Sequence, residues 1–109
     1  MLVDAMVSGQ WRITNFELDG ANITDQFLGY SFQYFESRTV DAIKNGAVEK
    51  TGTWDGDMST QTTWANFPNV TEPLSLVNGT WQIQSSSWTY VVAAQTVSGV
   101  TRIMRLDKI

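Results

Sequence analysis

Apolar and polar residues alternate along most of this chain with a period of two. Residues 29–36 show it most plainly. Tyr30, Phe32 and Tyr34 fall on one face and Ser31 and Gln33 on the other, the pattern of a half-buried strand. The alternation recurs over residues 38–44 with Val40 and Ala42 in phase, over 80–85 with Trp81 and Ile83, and over 100–107 with Met104 and Leu106. Residues 47–54 put Val48, Gly52 and Trp54 on one face. Residues 58–67 place Met58 with Trp64, and residues 87–96 group Trp88, Tyr90 and Val92. Over residues 9–18 the phase changes. Trp11 and Ile13 share one face and Phe16 and Leu18 the other, so a bulge or bend is predicted near Asn15.

Turn chemistry separates these segments. Asp19-Gly20, Asn45-Gly46, Asp55-Gly56-Asp57 and Ser98-Gly99 interrupt the alternation. Asn-Gly is the strongest short hairpin signal, because both residues tolerate positive φ. Residues 23–28 read as one helical turn capped by Thr24 or Asp25. Residues 68–78 contain both prolines, Pro68 and Pro73, which argues against a central strand. A short helix is predicted over 71–76, with Pro73 in its first turn. Eight short strands joined by hairpins, with no helix longer than two turns, predict an all-β fold. The expected architecture is an eight-stranded antiparallel up-and-down β-barrel, favoured over a sandwich. Its first strand opens with Gly9-Gln10-Trp11, a spacing repeated at Gly52-Thr53-Trp54 and Gly79-Thr80-Trp81. In this reading Gly9 lets the backbone pass close beneath the barrel floor, and the Trp11 indole fills that floor. Residues 1–7 are expected to be a flexible N-terminal segment, and 8–109 a single barrel domain.

Composition narrows function mainly by exclusion. The 109 residues are 42% apolar and 17% charged, which suits one globular domain with one core. Cysteine and histidine are absent. A disulfide framework, thiolate catalysis, a Ser-His-Asp triad and imidazole-ligated metal are therefore excluded. The net charge is −4 and the seven Lys and Arg are scattered, so nucleic-acid binding is not expected. Nothing approaches the run of about 20 apolar residues that a spanning helix needs. Asp55 and Asp57 lack further ligands at calcium-loop spacing and read as a turn. The acidic residues sit mostly at turns, where a surface role is expected. No catalytic residue, metal site or cofactor is expected, and the protein is read as a non-enzyme.

The order of several motifs carries a resemblance. Gly9-Gln10-Trp11-Arg12-Ile13 is followed by Asp25-Gln26-Phe27-Leu28-Gly29-Tyr30-Ser31-Phe32, then Gly52-Thr53-Trp54, then Leu76-Val77-Asn78-Gly79-Thr80-Trp81. This series resembles the small lipocalin-like domains common in Bacteroidetes-type bacteria and covers roughly residues 8 to 107. One departure is Glu36-Ser37-Arg38-Thr39, which stands where a glycine-containing turn is usual. The resemblance implies a calycin-like barrel that is exported, as a periplasmic, secreted or lipoprotein-anchored chain. It implies binding or structural roles and no catalytic residue.

Two functions are open at this point. Tyr30, Phe32, Tyr34, Trp64, Trp88 and Tyr90 either line a cavity for an apolar or aromatic small ligand, or fill the interior. In the first case the barrel is a carrier or sensor. In the second it is a protein-interaction module, for example an exported protease inhibitor presenting a terminus or loop. Barrel closure is assigned to Gly9 and Trp11, with Arg102 or Arg105 from the last strand stacked on the Trp11 indole.

Overall fold

The alternation becomes a closed ring of strands in the computed structural model, which describes residues 2–109. The strands are β1 (Gln10–Leu18), β2 (Ala21–Asn22), β3 (Tyr30–Tyr34), β4 (Thr39–Lys44), β5 (Ala47–Asp57), β6 (Thr62–Asn66), β7 (Gly79–Ser86), β8 (Tyr90–Val97) and β9 (Val100–Lys108). From β3 to β9 each strand pairs antiparallel with the next, and β1 pairs with both β3 and β9. Eight strands thus close an up-and-down barrel, and two-residue β2 only extends the edge of β1. The seam between β1 and β3 is narrow, with Gln10 opposite Gln33 and Trp11 opposite Phe32. Beyond it the chain after β2 takes over: Ile23 N–H donates to the Phe16 carbonyl and Phe16 N–H to Thr24 Oγ1, both at 2.9 Å.

Bulges decide which side chains face inward. The β1–β9 register shifts between Ile13 and Asn15, as the phase change predicts. The extra residue lets Trp11, Ile13 and Phe16 all point into the core. A second shift, between Ala42 and Ile43, puts Lys50 opposite Ala42 and Val48 opposite Ile43. Gly52 and Trp54 stay inside, but Val48 is turned out to solvent, so the shared face expected for the three does not form. Asn45 and Gly46 take φ of 51° and 84°, the geometry of the hairpin read from the dipeptide. Asp55-Gly56-Asp57 is not a turn. It remains in β5, opposite Trp64, Thr63 and Thr62. Its two carboxylates face water, which a strand tolerates. The chain reverses only at residues 58–61, where Asp57 Oδ1 accepts from Ser59 N–H and Oγ.

Both mouths of the barrel are covered. Helix α1 (Leu2–Met6) lies at one of them and packs against β5. Ala5 and Met6 are buried, and Val3 and Val7 pack on the core. The segment expected to be flexible is instead tied down at residues 3–7, where Val3, Ala5, Met6 and Val7 find burial over the mouth. Met1 lies outside the described residues. At the other mouth two 3₁₀ turns, Thr24–Phe27 and Leu74–Val77, bury Phe27, Leu74, Leu76 and Val77. These are the short helical turns predicted over 23–28 and 71–76. The cap differs from expectation: Ile23 holds the N-cap position with no side-chain cap bond, while Asn22 Oδ1, one residue earlier, accepts from Thr24 N–H and Thr24 Oγ1.

Candidate functional site

The three Gly-x-Trp steps give the interior its frame. Trp11, Trp54 and Trp81 are each at most 1% exposed. A buried indole N–H needs an acceptor, and each finds a backbone carbonyl. Trp11 Nε1 donates to Met6 O at 2.9 Å, Trp54 Nε1 to Phe35 O at 3.1 Å and Trp81 Nε1 to Val77 O at 2.9 Å. The acceptors belong to α1, to the β3–β4 turn and to the second 3₁₀ turn. Each indole thus ties a covering segment to the wall. The glycines serve different ends. Gly9 has φ of 92°, and a side chain there would meet only the Lys108 stem at ordinary contact, 3.7 Å away. Its contribution is the left-handed backbone, not the close approach expected of it. The close approach occurs at Gly52, where an added Cβ would overlap the Asn66 carbonyl oxygen and lie 2.9 Å from the Phe67 ring.

The cation over Trp11 is Lys108, not Arg102 or Arg105. Lys108 Nζ sits 5.1 Å from the Trp11 ring centre and donates to Ser8 Oγ at 2.7 Å. Register explains the correction: Lys108 lies directly opposite Trp11 in the β1–β9 ladder, whereas Arg105 lies opposite Asn15 and Arg102 opposite Leu18. Arg105 points outward, 4.7 Å over the Tyr90 ring, and pairs with Asp107 at 2.9 Å. That arginine, with the Thr14 hydroxyl, holds the Asp107 carboxyl below the usual carboxylate range. Arg102 reaches the other end of the barrel. Its Nη1 donates to Gln95 Oε1 at 3.0 Å and to Leu76 O at 3.3 Å. Gln95 is buried and its Nε2 donates to the Asn78 and Thr80 carbonyls. The Asn78 side chain brackets Phe67, accepting from its N–H at 2.7 Å and donating to its carbonyl at 3.1 Å. Sequence reasoning missed Lys108, Gln95 and Asn78. Alternation did carry a signal for two of them: Lys108 is in phase with Met104 and Leu106, and Gln95 with Val91 and Ala93.

The six aromatics expected to share one cavity divide into two groups. Tyr30, Phe32 and Tyr34 are inside. Tyr30 stacks with Phe32 at 6.2 Å between ring centres, and Tyr34 meets Trp54 edge-on at 5.1 Å. Burial raises the Tyr34 hydroxyl above its ordinary pKa. Burial, assisted by Glu49, pushes the Tyr30 hydroxyl up to about 12. Trp64, Trp88 and Tyr90 lie toward the outside, although Trp64 also borders the interior cavity. Trp64 is 41% and Trp88 51% exposed, while Tyr90 Oη bonds Ser85 Oγ at 2.9 Å beneath Arg105. On β8 the predicted phase holds but the faces are reversed: Val91, Ala93 and Gln95 point inward. The reason is packing. Ala93 lies opposite Met104, which in turn lies opposite Phe16, and these larger groups leave room there only for a small side chain.

Among the described residues the interior holds an apolar cavity of about 30 Å³, bounded by Met6, Phe32, Tyr34, Trp64, Phe67 and Trp81 among others. That is room for about two water molecules. Drug-sized ligands occupy pockets of about 300–1,000 Å³. Among the described residues no three acidic side chains converge as metal ligands. Asp55, considered for calcium, is paired with Arg38 at 3.0 Å. Among the described residues no helix is long and apolar enough to cross a membrane.

These features define a closed eight-stranded antiparallel barrel with a nearly filled interior. The fold is shared by a solved structure, a DUF4847 family protein from Bacteroides vulgatus. The two are 17% identical, the match covers 98% of this chain and 96% of that one, and the TM-score is 0.68. At that identity the likeness concerns the fold. No protein-family model matches the chain, and no curated protein matches it.

Proposed function

We propose that this barrel is a non-catalytic recognition module, lipocalin-like and exported, whose working surface is its outside. The observation that carries this reading is the interior volume of about 30 Å³, roughly a tenth of the smallest ordinary ligand pocket. The alternative, a carrier of apolar ligands, needs space that the three buried tryptophans and the Tyr30–Phe32–Tyr34 row already occupy. A module that presents its N-terminus is also disfavoured, because Ala5 is buried and Met6 is packed into the core. The lack of histidine and cysteine supports a non-catalytic role. The lipocalin-like character and the exported setting rest on the motif series from Gly9 to Trp81. The Bacteroides neighbour shares the barrel fold.

Native mass spectrometry of freshly purified protein, followed by titration with a naphthalene sulfonate dye and a fatty-acid panel, tests the reading. The expected result is the bare chain mass and no saturable binding. One fatty acid retained per barrel, competing with the dye, is the result that returns the function to ligand carriage.

A further inference from the structure

Trp64 stands apart from the tryptophans of the core. It lies in the middle of β6, opposite Asp55 on one side and Thr80 on the other, and it faces water. The indole N–H groups of Trp11, Trp54 and Trp81 are all bonded within the chain. Among the described residues, that of Trp64 meets no acceptor. Around it the outer face of β6, β7 and β8 carries Thr62, Thr80, Gln82, Ala94 and Thr96. Thr62 is opposite Gln82 and Gln82 opposite Ala94. A shallow groove of about 380 Å³ is lined by Thr62, Thr80, Gln82, Ala94, Gln95 and Thr96, and Trp64 stands beside it, opposite Thr80. We propose that this face binds a neutral polysaccharide, with Trp64 as the ring on which a sugar stacks. The proposal rests on the reading that the outside of the barrel is the working surface.

Three properties of the face favour that ligand. The first is charge. The ionised groups stand at its borders: Asp55, paired with Arg38, and Asp57 on β5, and Arg102 and Arg105 on β9. A phosphate, a nucleic acid or a charged peptide finds no partner within it. The second is the kind of surface. Protein interfaces are built on several aromatic and Arg anchors in a desolvated centre. Here one indole is set among hydroxyls and an amide. A pyranose matches that: its C–H face is apolar and of indole size, and its rim carries hydroxyls that both donate and accept. The third is supply of partners. Gln82 Nε2 is fixed by the Thr60 and Gln61 carbonyls at 3.1 and 3.0 Å, which leaves Oε1 as an acceptor. Among the described residues the Thr80 and Thr96 hydroxyls make no side-chain bond. These groups stand on strands about 4.8 Å apart, so their spacing is held by the sheet.

Affinity electrophoresis in native gels containing hydroxyethyl cellulose, xyloglucan, galactomannan or soluble starch tests the proposal, with isothermal titration on any polysaccharide that retards the protein. At least one of the four is expected to retard the wild type. Trp64→Ala should weaken that binding at least tenfold and Gln82→Ala about threefold or more. Trp88→Ala should bind as wild type, and all three variants should keep their circular dichroism spectra. The proposal is overturned if none of the four polysaccharides retards the protein, or if Trp64→Ala binds unchanged. It is also overturned if sedimentation shows a dimer that Trp64→Ala dissolves, since a second copy then covers the face. None of these outcomes touches the interior. A fatty acid held inside the barrel is the separate result that removes the recognition-module reading.

Discussion

Trp11→Ala should bring the domain close to unfolding, at a cost of about 3–5 kcal/mol against the roughly 5–15 kcal/mol that a domain has in total. Trp11 is fully buried, so its removal forfeits transfer energy and leaves a cavity. It also strands the Met6 carbonyl that accepts its N–H and removes the ring under Lys108. Helix α1 loses its tie to the barrel in the same step. Trp88→Ala is the internal control. That ring is half exposed and its loss should cost under about 1 kcal/mol, as surface substitutions usually do. Lys108→Ala should fall between them, on the order of 1 kcal/mol for a cation–π contact. Urea denaturation checks the ranking. A Trp11→Ala midpoint equal to that of the wild type would place the ring outside the core.

Gly52→Ala is expected to be nearly as damaging, for a different reason. The Gly52 backbone is one that any residue adopts, so strain at φ is not the issue. The added methyl would overlap the Asn66 carbonyl oxygen and press on Phe67. The obstructing atom belongs to the backbone of the next strand, where Asn66 is opposite Thr53. It cannot move without opening the β5–β6 ladder. A cost of about 3 kcal/mol is expected, the upper part of the overpacking range. For a domain of this size that is a fall of roughly 12 °C or more in melting temperature. Gly46→Ala is the comparison: nothing lies within 4 Å of its added Cβ, and only the positive φ is penalised, at about 1 kcal/mol. Differential scanning calorimetry of both variants separates the two causes. Equal melting temperatures would contradict a close approach at Gly52.

Local chemistry was legible in the sequence; the sum of packing was not. Alternation found the strands, Asn45-Gly46 marked its hairpin, and the phase change near Asn15 marked its bulge. Period two fixes which residues share a face, but not which face is inside. On β8 the bulkier set, Tyr90 and Val92, is outside, because Met104 and Phe16 already fill the space opposite Ala93. The same limit applies to Trp64 and Trp88. A tryptophan in a strand pattern reads as core until its neighbours are known. The closure cation depended on register between Trp11 and Lys108, on strands at opposite ends of the chain, which no local motif encodes. Residues 2–7 read as a free tail because five helical residues have no strength alone, and only the barrel mouth gives them a place to pack.

The five tryptophans divide into three that fill and pin the barrel and two on its surface. Hydrogen exchange of the indole Nε1–H groups, followed by NMR and assigned with single Trp→Phe variants, reads that division directly. Three protons should be protected, those of Trp11, Trp54 and Trp81, whose bonds to Met6, Phe35 and Val77 are 2.9–3.1 Å long. Those of Trp64 and Trp88 should exchange within the dead time. Rapid exchange at any of the first three, or protection at Trp64 or Trp88 in the free protein, contradicts the account.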